Sequence, residues 1–236
     1  MTSPTPTYST LLFDFDHTLF DSDASEAGAF AATLASHGID DPLAYFEEYR
    51  RINRALWHGV EQGSRRPDEV GVLRFEQLAT SVGFDVDPTV MAATYLGELG
   101  ANGDLFPDAR KVLEHLCERA TLAIVTNAIS SVQRARLDRL DLDDYFATIV
   151  ISSEVGVSKP DPAIFDIAFD RLGRPHTDAT LMIGDSLSSD MRGGANAGIA
   201  TCWYNPSGAL RSNDHVTHEV SHLTQLASFV PPDRFG

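Results

Sequence analysis

The chain has little positive charge and almost no lysine or cysteine. Its 236 residues contain 18 lysines and arginines against 34 aspartates and glutamates, a net charge of −16, and only 2 cysteines. Proteins that bind nucleic acid use lysine and arginine to neutralise phosphates, so we expect no nucleic-acid partner. Secreted domains held together by disulfides are much richer in cysteine, so we predict a cytoplasmic protein. Lysine occurs only at Lys111 and Lys159.

Long hydrophobic runs are also absent. No apolar run approaches the roughly 18 residues that a membrane-spanning helix needs, so we expect no membrane association. Met1–Thr10 is polar, includes Pro4 and Pro6, and lacks the basic start and apolar region of a signal peptide. The hydrophobic content of 43% is close to the globular average. A chain of this length therefore fits one domain with an insertion, or two small domains.

Short apolar runs, each ending at a turn or a polar cluster, predict buried β-strands. Helical patterns lie between them, because the apolar positions in 164–172 recur on one face of a helix. Pro107 is placed to begin a second helix, and 132–140 indicates a third. This alternation predicts an α/β fold with a doubly wound, Rossmann-like parallel sheet. The predicted strands are Thr10–Phe15, Leu122–Thr126, Thr148–Ser152, Thr180–Gly184 and Thr201–Tyr204.

The alternation stops between residues 21 and 104, where no strand pattern occurs. The stretch is too long for a loop, and its apolar spacing predicts helices. Aspartate followed by proline at 41–42 and at 87–88 predicts an N-cap and a first helical residue in both places. We predict a helical cap domain at 21–104, inserted after the first strand, and a core domain made of 1–20 and 105–236. The four cap helices are predicted from Ser22 to Gly38, from Asp41, at Asp68–Val82 and from Asp87.

Polar residues lie at the ends of three of the predicted strands, and a lysine precedes one helix. Singly, each has an ordinary explanation, because Asp, Asn and Thr satisfy backbone groups in turns and caps, and lysine is usually solvated. In a doubly wound sheet, however, ligands bind beyond the carboxyl ends of the strands, where these residues would meet. Carboxylates in one crevice repel each other unless a cation is bound, and an all-oxygen ligand set favours Mg²⁺. The residues are Asp14, Asp16, Thr126, Asn127, Lys159, Asp185 and Asp190.

This set resembles the four motifs of the haloacid dehalogenase (HAD) superfamily, in their order and spacing. Asp14-Phe15-Asp16-His17-Thr18 is similar to the DxDxT motif, Thr126 to the second motif and Lys159 to the third. Gly184-Asp185 with Asp190 resembles the GDxxxxD motif. The insertion at 21–104 is where this superfamily places its C1-type helical cap. The resemblance covers most of the chain.

The resemblance implies a role for each motif residue in phosphate ester hydrolysis. Asp14 would be the nucleophile that forms an aspartyl-phosphate, and Asp16 the general acid and base. Asp16 must first carry a proton, and we expect partial desolvation near other carboxylates to favour this. Thr126 and the Asn127 backbone would bind phosphoryl oxygens, and Lys159 would offset negative charge.

The same resemblance implies Mg²⁺ as the cofactor. Its ligands would be the Asp14 carboxylate, the Asp16 backbone carbonyl and Asp185, with Asp190 acting through a water molecule. Dehalogenases attack carbon and usually lack the second aspartate of the first motif. Asp16 therefore favours phosphate esters as substrates.

Three segments resemble the YjjG-type pyrimidine 5′-nucleotidases, which implies a nucleoside 5′-monophosphate as substrate. Trp57, Tyr49 or Phe75 in the cap would then stack on the base, or these rings fill the interior of the cap. Arg50 and Arg51 are expected on a solvated helix face. The three segments are 53–57, 150–160 and 196–203.

Two other functions stay open beside the nucleotidase. One is a sugar-phosphate or phosphoglycolate phosphatase of the same superfamily, and the other is a non-catalytic protein that binds phosphate. The second is disfavoured because Asp14, Asp16, Lys159 and Asp185 are all present, and a binding protein need not keep both nucleophile and acid. We predict a small phosphorylated metabolite as the partner, and a monomer or homodimer.

Overall fold

The central feature of the molecule is a parallel β-sheet. The computed structural model describes residues 7–210 and 215–232, and in these ranges the sheet has six strands in the order β3-β2-β1-β4-β5-β6. The five predicted strands are confirmed, and the predicted fold class with them, but a short sixth strand was missed. The strands are β1 Thr10–Phe13, β2 Thr121–Thr126, β3 Thr148–Ile151, β4 Thr180–Gly184, β5 Ala200–Tyr204 and β6 His218–Val220.

Helices occupy the connections between the strands. Four lie between β1 and β2: α1 Ser22–Ser36, α2 Leu43–Glu61, α3 Pro67–Val82 and α4 Pro88–Ala101. None of the helices in the described ranges has the length and apolar character of a membrane span. The remaining helices are α5 Ala109–Cys117, α6 Ser130–Arg139, α7 Ser152–Val155, α8 Pro162–Arg171 and α9 Arg192–Asn196, with a π-helical turn at Leu187–Met191 and 3₁₀ turns at Asp143–Tyr145, Thr177–Ala179 and Leu223–Phe229.

The sheet is buried on both faces. Successive side chains of a strand point to opposite sides, so Leu11 and Phe13 join one apolar cluster, which also contains Leu113 of α5. Leu12 joins a second cluster with Phe165 of α8 on the other face. This explains why the strands are continuous apolar runs rather than alternating ones.

The chain reverses direction across the sheet between β1 and β4. From β1 it proceeds outward to β2 and β3, and then returns to β4 on the other side of β1. The Asp14 N–H donates to the Ile183 carbonyl at 2.8 Å, so the two strands remain paired up to their carboxyl ends. This is the switch point at which doubly wound sheets bind ligands.

The segment 21–104, called the helical insert below, leaves and re-enters the sheet region at one place. The Asp21 N–H donates to the Asp104 carbonyl at 3.0 Å, and the Phe106 N–H to the Leu19 carbonyl at 2.8 Å. The insert has its own apolar cluster, built from its four helices and joined by Val132 of α6. Helix α4 lies directly on α6.

Two predicted helix starts are wrong. Helix α2 begins at Leu43, with Pro42 at the N-cap and no capping side chain, because Asp41 adopts a left-handed φ of +53° two residues before the helix. Helix α5 begins at Ala109 rather than at Pro107. The predicted cap at Asp87 is confirmed, since its carboxylate accepts from the Thr89 N–H at 2.8 Å.

Candidate active site

Three carboxylates converge at the switch point. Asp14 follows β1, Asp185 follows β4, and Asp190 lies on the π-helical turn, with one oxygen of each within 4.8 Å of the others. Asp14 and Asp190 are buried, and Asp185 is partly buried. Gly184 makes this approach possible, because a Cβ at this position would lie 2.2 Å from Asp190 Oδ2. Three of the four predicted metal ligands, Asp14, Asp185 and Asp190, thus lie together, whereas the Asp16 carboxylate is not part of this group.

Lys159 binds two of these carboxylates. Its Nζ lies 2.6 Å from Asp14 Oδ1 and 2.7 Å from Asp190 Oδ1, and its side chain is 1% exposed. Burial disfavours the charged ammonium, but the two carboxylates outweigh it and raise the pKa of Lys159 above its usual range. Lys159 is therefore a fixed positive charge.

Asn127 holds the backbone of Lys159. Its Oδ1 accepts from the Lys159 N–H at 2.8 Å, and its Nδ2 donates to the Lys159 carbonyl at 2.9 Å. The sequence predicted a substrate contact for the Asn127 backbone. The structure adds a second role, in which the Asn127 side chain connects the end of β2 to the loop that carries Lys159.

The three carboxylates carry more negative charge than Lys159 can balance. Burial, followed by the charge of Asp190, raises the pKa of Asp185 to about 7, and burial with repulsion from Asp190 and Asp185 raises the pKa of Asp14 despite Lys159. Three ionised carboxylates and one ammonium leave two negative charges. An all-oxygen site with this surplus fits a divalent cation such as Mg²⁺.

Asp16 does not have the predicted environment. Its Oδ1 accepts from Arg136 Nη1 at 2.7 Å and from Ser22 Oγ at 2.6 Å, and its Oδ2 accepts from Gln133 Nε2 at 3.2 Å. Burial favours the protonated acid, but Arg136 and these hydrogen bonds outweigh it and lower the pKa of Asp16. The expectation that desolvation would favour a protonated Asp16 is wrong in this conformation.

Arg136 is the main residue that sequence reasoning missed. It is buried on α6, donates to the Leu99 carbonyl at 3.0 Å and to Ser25 Oγ at 3.1 Å, and its guanidinium lies 4.3 Å from the centre of the Phe20 ring. It therefore connects Asp16 to helices α1 and α4 of the insert. The signal for it was an arginine four residues after Val132, on the inward face of a predicted helix.

Thr126 is placed at the end of β2 as predicted, and it is fully buried. Its Oγ1 accepts from Gln133 Nε2 at 3.4 Å. The cavity described next is lined by Asn127 but not by Thr126. In this conformation the Thr126 hydroxyl contacts the side chain that also holds Asp16.

A cavity of about 590 Å³ separates the carboxylates from the helical insert. Trp57 is partly buried at its wall, whereas Tyr49 and Phe75 are fully buried inside the insert and do not line it. Of the three predicted rings, only Trp57 can therefore face a bound molecule. The lining includes Asp14, Asp16, Asn127, Lys159 and Asp185 from the core, and Glu26, Arg50, Asn53, Arg54, Trp57 and Arg74 from the insert.

The insert contributes positive charge to this cavity. Arg50 lines it and pairs with Asp23 at 3.5 Å and Glu47 at 3.7 Å, so the expectation that Arg50 lies on a purely solvated helix face is wrong. Arg51, in contrast, is exposed and pairs with Glu48 at 2.7 Å. The apolar periodicity of α2 did not reveal which of the two arginines lines the cavity.

A buried polar cluster around Arg74 forms part of the insert's wall of the cavity. Arg74 donates to Tyr49 Oη at 3.2 Å and to the Val70 carbonyl at 3.1 Å, and its guanidinium lies 5.2 Å from the centre of the Tyr95 ring. The hydroxyls of Tyr49 and Tyr95 are hydrogen-bonded to each other. Because every polar group here has a partner, the insert keeps an arginine inside its apolar interior.

Known proteins resemble this chain over most of its length. A profile of the haloacid dehalogenase-like hydrolases matches residues 8–198. Pyrimidine 5′-nucleotidase PynA of Streptococcus pneumoniae is 38% identical over 200 residues, 84% of each chain. Pyrimidine 5′-nucleotidase YjjG of Escherichia coli is 34% identical over 195 residues, 83% of this chain and 85% of YjjG.

A solved structure has the same fold throughout. YfnB of Bacillus subtilis, crystallised with magnesium bound, superposes with a TM-score of 0.87 at 34% identity, covering 93% of this chain and 97% of YfnB. The family profile spans strands β1 to β4, the insert and all four motifs described above. The predicted resemblance is thus confirmed, and the chain belongs to the haloacid dehalogenase-like hydrolases.

Proposed function

We propose that this hydrolase is a Mg²⁺-dependent phosphomonoesterase that cleaves pyrimidine nucleoside 5′-monophosphates through an aspartyl-phosphate. The observation that carries the proposal is the cluster of Asp14, Asp185 and Asp190 with Lys159 at the core end of a cavity large enough for a nucleotide. Two relatives described as pyrimidine 5′-nucleotidases support the choice of substrate. Trp57 on the opposite wall offers a ring for a base.

The first chemical step belongs to Asp14. One of its carboxylate oxygens attacks phosphorus, and the ester P–O bond breaks in line with the new bond. The leaving oxygen receives a proton from Asp16, and the nucleoside departs with a free hydroxyl. Lys159, 2.6 Å from Asp14 Oδ1, offsets the negative charge that accumulates between carboxylate and phosphoryl group.

The second step returns Asp14 to its starting state. Asp16, now ionised, takes a proton from a water molecule, whose oxygen attacks the phosphorus of the aspartyl-phosphate. The bond from phosphorus to the Asp14 oxygen breaks, and inorganic phosphate is released. The contact with Arg136 favours the ionised Asp16 that this step needs. For the first step, Asp16 must leave Arg136 and take up a proton.

The residues present fit a divalent cation. Asp14, Asp185 and the Asp16 carbonyl would hold Mg²⁺, and Asp190 would act through a water molecule. When bound, Mg²⁺ supplies charge neutralisation for the phosphoryl oxygens and for the crowded carboxylates. The magnesium-bound structure of YfnB, at 34% identity, supports this choice of metal.

We propose further that residues 21–104 form a cap domain that closes over the cavity to exclude water and select the substrate. The cap has its own apolar cluster, and its wall contributes Trp57 and Arg50. The bond from Arg136 to the Leu99 carbonyl makes cap position and Asp16 interdependent. The crystal form of YfnB reported with interdomain movement supports a mobile cap.

The test is a panel of phosphate monoesters assayed with Mg²⁺ and with excess chelator. We expect uridine and thymidine 5′-monophosphates to be hydrolysed faster than hexose phosphates and phosphoglycolate, and every activity to be lost with chelator. Faster turnover of a sugar phosphate than of every nucleotide would refute the nucleotidase and leave the phosphomonoesterase. Full activity in chelator would refute the mechanism.

A further inference from the structure

We propose that Asn53 recognises the base, through a hydrogen bond that its Oδ1 accepts from an N–H on the edge of the pyrimidine ring. Glu26 acts as a positioning residue that fixes the orientation of the Asn53 amide. The inference rests on the proposed nucleotidase function and names the contact that distinguishes a nucleotide from a phosphate ester without a base.

Asn53 is a polar side chain with one unused group. It is 4% exposed, on the face of α2 that lines the cavity. Its Nδ2 donates to Glu26 Oε1 at 2.8 Å, whereas its buried Oδ1 has no hydrogen-bond partner in the described part of the chain. A buried carbonyl oxygen without a partner costs stability, and a donor on a bound molecule would remove that cost.

Glu26 determines which atom of the amide is left unpaired. Burial raises the pKa of Glu26, and the nearby charge of Arg74 opposes this rise and favours the ionised carboxylate. The ionised carboxylate only accepts hydrogen bonds, and in the structure it holds the amide nitrogen of Asn53 toward itself. The oxygen is then the atom available to a ligand, and it cannot exchange places with the nitrogen without losing the bond to Glu26. The site therefore selects a hydrogen-bond donor rather than an acceptor.

A pyrimidine base carries such a donor at its edge. Uracil and thymine have the N3–H, and cytosine has the exocyclic amino group on C4. Trp57 lies one turn after Asn53 on the same helix and lines the same cavity, so a ring on its face would have its edge near position 53. p-Nitrophenyl phosphate has no N–H, and ribose 5-phosphate has no base, so neither compound can donate this hydrogen bond from a base.

The experiment combines substrates blocked at each donor with a variant of similar size. Uridine 5′-monophosphate is compared with its N3-methyl derivative, and cytidine 5′-monophosphate with its N4,N4-dimethyl derivative, in the wild type and in Asn53→Leu. The wild type should lose about tenfold in kcat/KM on methylation of the base it recognises, the value of one hydrogen bond. Asn53→Leu should lose about tenfold on the unmethylated nucleotide and show little further loss on methylation.

Two further variants test the role of Glu26 and the specificity of the effect. Glu26→Gln lets the Asn53 amide turn, because a glutamine can donate or accept, so the discrimination against the methylated base should fall by a larger factor than p-nitrophenyl phosphate turnover changes. The control is Glu47→Gln, which lies on the same helix as Asn53 but outside the cavity lining, and it should behave as the wild type.

The outcomes separate this inference from the proposed function. If the wild type hydrolyses no nucleotide, the nucleotidase proposal fails. If it hydrolyses nucleotides but Asn53→Leu loses the same factor on ribose 5-phosphate and p-nitrophenyl phosphate, or keeps the wild-type penalty for both methylated bases, the assignment of Asn53 is overturned. The pair of substrates that responds identifies which N–H is bound.

Discussion

The two walls of the cavity are built on different principles. On the core wall, three carboxylates lie close together although they repel each other, and the ammonium of Lys159 offsets only part of their charge. The carboxylates are those of Asp14, Asp185 and Asp190. On the insert wall, Arg74 and Glu26 are partnered by hydroxyl or amide groups rather than by like charges. In the proposed function, the core wall holds a cation and a phosphoryl group, and the insert wall contacts the rest of the substrate.

This difference explains how one molecule can combine fixed chemistry with adjustable specificity. Asp14 and Asp185 of the core wall follow strand ends, whose positions are set by the paired backbone of the sheet. The insert residues lie on helices whose contacts are side chain to side chain, and these can change without disturbing the sheet. The variants of Asp14, Asp16 and Asp185 below change the core wall, and those of Trp57 change the insert wall.

The largest effect should come from Asp14→Asn. An amide does not attack phosphorus, so kcat should fall by roughly 10⁴-fold or more for every ester. Asp23→Asn makes the same chemical change on the insert side of the cavity and should leave hydrolysis of p-nitrophenyl phosphate nearly unchanged. Steady-state kinetics on both variants checks this, and comparable losses in the two would contradict the division between the walls.

Asp16→Asn should come next, with a loss that depends on the leaving group. For nucleotides, whose leaving oxygen needs a proton, kcat should fall by roughly 10²–10⁴-fold. p-Nitrophenol leaves without protonation, so its ester should lose less. An equal loss for both esters would show that Asp16 is not the general acid.

Mg²⁺ should stabilise the fold, and more so at higher pH. The pKa of Asp185 is about 7 and that of Asp14 is raised, so without metal these carboxyls hold protons in the folded state that they release on unfolding. The protonated carboxyls stabilise the folded state at low pH, and this stabilisation is lost as the pH rises toward 7. At that pH bound Mg²⁺ takes the place of the protons. At about 100-fold excess over Kd the metal adds roughly 2.7 kcal/mol.

Thermal unfolding with and without Mg²⁺ measures this effect. The increase in Tm should be larger near pH 7.5 than near pH 5 (values chosen to lie on either side of the transition). Asp185→Asn should lose most of it, because the variant lacks a ligand and much of the repulsion. A Tm increase of the same size at both pH values would contradict the charge balance described above.

Trp57→Ala should weaken only the binding of a base. Loss of one stacked ring costs roughly 1–3 kcal/mol, so kcat/KM for nucleotides should fall by about ten- to a hundredfold, mainly through KM. Trp57→Phe keeps a ring and should retain most of the affinity. Hydrolysis of p-nitrophenyl phosphate reports on the core wall, and a parallel loss there would show that Trp57 acts on the fold instead.

The smallest effect should come from Tyr95→Phe. The change removes the hydroxyl bonded to Tyr49 and should lower the free energy of unfolding by about 1 kcal/mol, with kinetics unchanged. Urea denaturation measures it, and Tyr145→Phe, whose hydroxyl makes a longer, exposed contact with Glu114, serves as the control. No difference between the two variants would mean that the buried hydroxyl pair contributes nothing to stability.

The core wall could be predicted from the sequence because its signals are local. Asp14, Thr126 and Asp185 stand at strand ends, and parallel strands bring their carboxyl ends to one edge. The environment of Asp16 could not be predicted, because its partner Arg136 is 120 residues away and reaches it through packing of α6. Strand β6 has three residues, too few to give a periodic signal.

The insert could be predicted only as a set of helices. Its apolar spacing and cap residues gave the number of helices, the approximate limits of α1 and α3 and a correct start for α4, since helical periodicity needs no knowledge of the partner surface. The pairing of Asn53 with Glu26 depends on how α1 and α2 cross, which neither helix encodes alone. The choice between Arg50 and Arg51 at the cavity has the same origin.

The paired ends of the helical insert have a consequence for how such proteins diversify. Asp21 and Asp104 are joined by a backbone hydrogen bond, so the two ends of the insert lie as close together as the ends of a tight turn. A segment of another length or architecture can occupy that position without changing the spacing of its two anchor points, so exchange costs little chain entropy. We therefore expect that grafting the insert of a relative at these two residues leaves the sheet folded and changes which phosphate esters the protein hydrolyses.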